Sequence, residues 1–159
     1  MKKNNEKTNV MRILDQNGIN YESYVYADNP CTNGLEVANL LKKDPNQVFK
    51  TLVTISKSNK NYVFLVPVNK ELDLKKAAQA VNEKNVEMLK SSELLGLTGY
   101  IHGGCSPIGM KKQFVTVIDA SAFNYSSITF SGGKIGYQVS LEISNLEKVL
   151  KYSVADIIK

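Results

Sequence analysis

The segment Val48-Phe49-Lys50-Thr51-Leu52-Val53-Thr54-Ile55-Ser56 and the run Tyr62-Val63-Phe64-Leu65-Val66-Pro67-Val68 behind it decide the fold. Both are rich in β-branched and aromatic residues, and the polar stretch 57–61 between them has the length of a hairpin loop. Working outward, helical spacing appears over 8–17, with Thr8 as cap, Val10, Ile13 and Leu14 as the apolar stripe, and Asn17-Gly18 as the stop. Residues 19–26 read as a strand closed by Asp28-Asn29-Pro30, and Asn33 with Glu36 opens a helix through Leu41. Asp44-Pro45-Asn46 is a turn, and Asp73 caps a helix carrying Leu74, Ala77, Ala78 and Val81. A short helix is expected at 91–95, and short strands at 100–102, 114–119, 128–131 and 137–141. Ser144 with Glu147 resembles a capping box for a last helix through Leu150. Strands outnumber helices without regular alternation, so the expected class is α+β (mixed α/β): a curled mixed sheet with helices outside, not a doubly wound nucleotide fold.

With 159 residues, 43% of them apolar, the chain suits one domain that buries a core without staples. The formal charge of +5 permits a polyanionic partner, but Arg12 is the only arginine, which excludes recognition by many bidentate guanidinium forks. Cys31 and Cys105 are too few for a disulfide framework or a structural zinc site, and the single histidine, His102, excludes a two-histidine metal site. The start is polar and no apolar run reaches the roughly 18–20 residues of a membrane helix. A reduced cytoplasmic protein with no cofactor, no membrane partner and no DNA partner is expected.

Three places could carry chemistry. Period two sets Val48, Lys50 and Leu52 on one face of the first strand, with Phe49, Thr51, Val53 and Ile55 on the other. Lys50 thus sits among apolar neighbours. It is either an edge lysine that snorkels to water, or a cation at the floor of a cleft that awaits a phosphate, carboxylate or carbonyl. The second place is Gly99-Tyr100-Ile101-His102-Gly103-Gly104-Cys105-Ser106-Pro107-Ile108-Gly109, whose adjacent glycines let main-chain N–H groups approach a ligand. A tight connection between strands explains it equally well, and a Cys105–His102 nucleophile pair is weak because Gly-Gly need not align the two side chains. The third, Ser131-Gly132-Gly133-Lys134-Ile135-Gly136, lacks the Ser or Thr that a phosphate-binding P-loop places after its lysine. It reads as a hairpin turn whose Ser131 and Lys134 could still touch a ligand.

Taken together with Thr8-Asn9-Val10-Met11-Arg12, 44–52 and Leu72-Asp73-Leu74-Lys75-Lys76, these segments resemble the YbaK/EbsC family of aminoacyl-tRNA deacylases, relatives of the editing domain of bacterial prolyl-tRNA synthetases. The resemblance covers nearly the whole chain and is nearest the free-standing Cys-tRNA(Pro) deacylase branch. It implies a barrel-like mixed sheet, a key lysine at Lys50 and a neighbouring threonine at Thr51. Gly103 and Gly104 correspond to the family's glycine pair, with Ser106, Pro107 and Gly109 completing that loop. Tyr26 corresponds to an early aromatic, and Ser131 and Lys134 to the late Ser-Gly-Gly-Lys. Two departures stand out: the segment after Pro30 is about two residues shorter, blurring the pocket position near Leu35, and Gln138 replaces an aspartate.

The implied substrate is the 3′ aminoacyl-adenosine end of mischarged tRNA(Pro), presented with prolyl-tRNA synthetase as partner. The substrate's own cysteine thiol would attack the ester, Lys50 would hold a phosphate or the ester, and the Gly103 and Gly104 N–H groups would face the carbonyl oxygen. The alternatives are an Ala-tRNA(Pro) deacylase using activated water, a non-catalytic aminoacyl- or nucleotide-binding module, and a thiol hydrolase using Cys105.

Overall fold

The computed structural model describes residues 6–29, 31 and 33–159. Pro30, part of the turn expected after the first strand, lies outside them. Helix α1 (Asn9–Gln16) is capped as its sequence requires, the Thr8 hydroxyl accepting from Met11 N–H at 3.2 Å. Strand β1 (Glu22–Val25) follows, then α2 (Gly34–Leu40), with Asn33 Oδ1 accepting from the N–H groups of Leu35 and Glu36. The Asp44-Pro45-Asn46 turn is a 3₁₀ turn (Pro45–Gln47) leading into β2 (Phe49–Ser56). The hairpin partner β3 (Asn61–Pro67) pairs antiparallel with β2 from Phe49↔Pro67 to Ile55↔Asn61.

Helix α3 (Leu74–Ala80) is capped by Asp73, β4 is Val86–Met88, and α4 (Ser91–Thr98) ends at Gly99 with φ +88°. Strands β5 (Val115–Asp119), β6 (Ser127–Ser131) and β7 (Tyr137–Glu142), the one-turn α5 (Ile143–Leu146) and β8 (Ser153–Ala155) complete the chain. They build a five-stranded mixed sheet, β4-β2-β3-β5-β8, and a three-stranded antiparallel sheet, β1-β7-β6. One parallel bridge, Val48↔Thr129, links the two. The mixed α+β class is as expected, but the sheets do not close into a barrel.

The core lies between the sheets, where Phe49, Val53, Val63, Leu65 and Ile118 meet Phe130, Val139 and Leu141, with Val10 and Leu14 of α1 sealing one end. Phe64, Val66 and Val117 face the other way, against Ala77 and Ala78 of α3. Burial on both faces explains why 62–68 is an unbroken apolar run.

Two expectations fail, and two short strands went unexpected. Residues 100–102 form a turn rather than a strand, because Thr98 Oγ1 takes the Tyr100 N–H at 3.0 Å and Ile101 C=O takes the Gly104 N–H at 2.9 Å. Ser144 caps nothing: α5 starts one residue earlier, where Ile143 N–H donates to Ser126 C=O, and lasts one turn. Strands β4 and β8 are three residues each, too short for any period to register.

Strand β8 is fastened by Asp119, 2% exposed, whose Oδ1 accepts from Ile157 N–H at 3.0 Å and Oδ2 from Ser121 N–H at 3.1 Å. Asp119→Ala would strand two buried N–H donors. It is expected to cost about 3 kcal/mol, to be read as a drop in the urea midpoint, since each unmade buried hydrogen bond costs roughly 1–3 kcal/mol.

Candidate active site

A cleft of about 360 Å³ opens where β2 diverges from β6 beyond the Val48↔Thr129 bridge, roofed by the start of α2. Among the expected site residues, Lys50, Thr51, Gly103 and Ser131 line it together. The sequence placed these four far apart, and the Val48↔Thr129 bridge brings β2 and β6 to one wall. Gly34 lets α2 come this close, since a Cβ there would meet Val68 Cγ1 at 2.5 Å.

Lys50 is half-buried and has no hydrogen bond or ion pair among the described residues. Burial holds its ammonium below the ordinary lysine range, and the charge of Glu71 only partly offsets this. An ammonium kept short of both water and a counterion is poised for an anionic or strongly polar ligand.

The two glycines of the loop divide their work. Gly103 lines the cleft with φ +88°, and its N–H has no partner among the described residues. The Gly104 N–H is committed to Ile101 C=O, so it does not face a ligand carbonyl as expected. Gly104 is instead a packing requirement: a Cβ there would lie 3.0 Å from Ile135 N and 3.2 Å from Lys134 C.

The remaining expected residues support the wall rather than line it. Ser106 is fully buried, its Oγ accepting from Ile108 N–H at 3.3 Å, with Pro107 buried beside it. Gly109, at φ +80°, lies against α1, where a Cβ would meet Asn9 Nδ2 at 3.0 Å. Lys134 turns away and donates to Glu6 Oε2 at 2.9 Å, while Tyr137 donates to Glu6 Oε1 at 3.2 Å. Lys134 thereby latches the glycine loop that backs Gly104. Tyr26 is buried, and its hydroxyl accepts from Gln138 Nε2 at 3.2 Å; Gln138 itself lines the cleft.

His102 and Cys105 also line the cleft. The sequence offered the histidine only as half of a weak pair with Cys105. Burial pushes the Cys105 thiol up to about 12, outweighing the hydrogen bond with Thr98. A thiol held protonated is a poor nucleophile, which weighs against the Cys105 hydrolase alternative. Cys105→Ala is expected to keep wild-type turnover and lose about 1 kcal/mol of stability, as for a small buried truncation. The raised thiol also has a pH signature. Above roughly pH 8.5 the unfolded thiol ionises while the folded one does not, so stability falls as pH rises toward 12. That part of the alkaline slope should vanish in Cys105→Ala. Among the described residues no three His, Cys, Asp or Glu side chains gather as a metal site.

The profile of the aminoacyl-tRNA editing domain family matches residues 28–149. The chain belongs to that family. A 141-residue stretch is 45% identical to an Enterococcus faecalis protein whose name proposes a Cys-tRNA(Pro)/Cys-tRNA(Cys) deacylase, EbsC, covering 88% of this chain and 86% of the relative. Two solved structures share the fold. One, of a hypothetical protein APE2540, has TM-score 0.85 and 21% identity over 94% of this chain and 99% of its own. The other, proposed to be a trans-editing enzyme for prolyl tRNA synthetase, has TM-score 0.80 and 22% identity over 97% and 99%. Among the described residues, the cleft of this editing-family chain holds an ammonium without a contacting partner and a free main-chain donor. Among the described residues no helix is long and apolar enough to cross a membrane.

Proposed function

We propose that this chain is a trans-editing deacylase that cleaves mischarged Cys-tRNA(Pro), with Cys-tRNA(Cys) as a second substrate, in the cytoplasm. The observation that carries this reading is that Lys50 and the Gly103 N–H line one cleft whose Cys105 thiol is held protonated by burial. Ser131, the other hydroxyl of the expected set at the wall, accepts from Gly133 N–H at 3.1 Å. The substrate therefore supplies the nucleophile.

The cysteine sulfur attacks its own ester carbonyl as its thiol proton departs. The C–O bond to the ribose breaks, the ribose oxygen takes up a proton, and a cyclic thiolactone leaves, later opened by water to cysteine. Such an intramolecular attack gains roughly 7–11 kcal/mol from proximity in well-oriented cases. What the protein adds is positioning and charge: Gly103 N–H toward the carbonyl oxygen, and Lys50 toward the terminal adenosine phosphate or the ester. The surplus of lysine, +5 overall, attracts tRNA phosphates without reading sequence. Selection of the tRNA accordingly falls to a partner, prolyl-tRNA synthetase. Incubation with Cys-tRNA(Pro) tests the reading: an editing enzyme releases free tRNA over many turnovers, whereas a binding module protects the ester.

A further inference from the structure

The main-chain groups of β2 alternate in direction, and the alternation can be fixed. Val68 N–H donates to Val48 C=O at 2.8 Å and Ser56 N–H to Lys60 C=O at 2.9 Å, so even-numbered residues turn toward β3. Odd-numbered residues turn to the other edge, where Val53 C=O accepts from Leu89 N–H at 3.0 Å. That edge is covered at one end by the Val48↔Thr129 bridge and at the other by β4, which pairs only with residues 54–56. In the gap between them no ladder or bridge reaches Thr51, so its N–H and C=O lie on an open edge among the described residues. Thr51 lines the cleft, while its Oγ1 is shut away from solvent.

We infer that the main chain of Thr51, rather than its hydroxyl, binds the aminoacyl group as a one-residue added strand. This rests on the deacylase reading. In an antiparallel rung a single residue exchanges both hydrogen bonds with the residue opposite. An esterified amino acid carries the same pair of groups: its α-amine donates to Thr51 C=O, and its carbonyl oxygen accepts from Thr51 N–H. Thr51 N–H is then a second donor to the reacting carbonyl, taking the part that Gly104, bonded to Ile101, cannot take. Opposed residues of a rung point their side chains to one face. The substrate side chain therefore lies on the Thr51 side of β2, the face of Phe49 and Val53, where Leu94, Gly103 and Cys105 line the cleft. Antiparallel direction sends the ribose toward the Phe49–Lys50 end of the strand, beside the free ammonium.

Two measurements on the full chain test this. The first compares cysteinyl-tRNA(Pro) with 3-mercaptopropanoyl-tRNA(Pro), which keeps the thiol and lacks the α-amine, each relative to its uncatalysed cleavage. Loss of the amine should lower the enhancement in kcat/KM by about tenfold or more, the loss of one good hydrogen bond. The second replaces Thr51 by its α-hydroxy acid through amber suppression, which deletes the N–H and leaves the side chain. The ester-linked protein should keep its fold by circular dichroism and lose about 10²–10³-fold in kcat/KM, as for one oxyanion donor. Equal enhancement for the two substrates, or full activity in the folded ester variant, overturns the inference while the deacylase reading stands. If the ester variant does not fold, the substrate pair decides alone. An unmodified protein that leaves cysteinyl-tRNA intact overturns both.

Discussion

Lys50→Met is expected to reduce deacylation of Cys-tRNA(Pro) by about 10²–10³-fold or more in kcat/KM, the scale of losing one preorganised electrostatic contact, while the protein folds at least as stably as before. The asymmetry comes from where the charge sits. Lys50 is half-buried, has Val66 as its cross-strand neighbour, and has no counterion in contact among the described residues. Its folded-state affinity for a proton is depressed by burial. For such a group the unfolded state binds more protons, so stability rises with pH through the depressed value up to the ordinary lysine range. At neutral pH the ammonium therefore opposes folding, and an apolar side chain of similar length removes that opposition. Urea midpoints followed as pH rises toward the ordinary lysine range read the sign: wild type gains on this account and Lys50→Met does not. Lys50→Arg should restore little, because a planar guanidinium needs more room and different geometry than a point-like ammonium.

Cys-tRNA(Pro) is expected to be cleaved at least about 10³-fold faster than Ala- or Ser-charged tRNA(Pro), with Pro-tRNA(Pro) left intact. Binding alone cannot give this margin, since a difference of one small group in a pocket is worth only about 1–3 kcal/mol. The thiol supplies the rest, because alanine has no nucleophile and the serine hydroxyl is far less ionised near neutral pH. Single-turnover rates with the four substrates measure it. Equal rates for Cys- and Ala-charged tRNA would mean that water is the nucleophile and would favour the alanine-specific alternative.

Much of the fold was legible because its signals are local. Asn33, Asp44 and Asp73 each bond the backbone two residues on, as their spacing indicated, and the 48–68 hairpin is central because both its strands are strongly apolar. The misses share a cause. The closure of the sheets, β4, β8 and the end of the last helix depend on contacts between distant residues, such as Asp119 with Ile157, that leave no trace in a short window. The site divides in the same way. The sequence pointed to Lys50, Gly103 and Ser131 as residues, and only packing tells lining from support. Gly104, Gly109 and Lys134 carry the same motif and serve to shape the wall. Gln138 and His102 line the cleft although no motif assigned them a part.

The aminoacyl end is proposed to bind in the cleft between β2 and the 103–104 loop. A non-cleavable analogue, 3′-alanylamino-3′-deoxyadenosine, titrated into ¹⁵N-labelled protein tests it most directly. Amide shifts centred on Lys50, Thr51, Gly103 and Ser131 are the expected result. Shifts centred instead on the groove of Asn20, Ser126 and Asn145, a cavity of about 390 Å³ at one end of the small sheet, would contradict it.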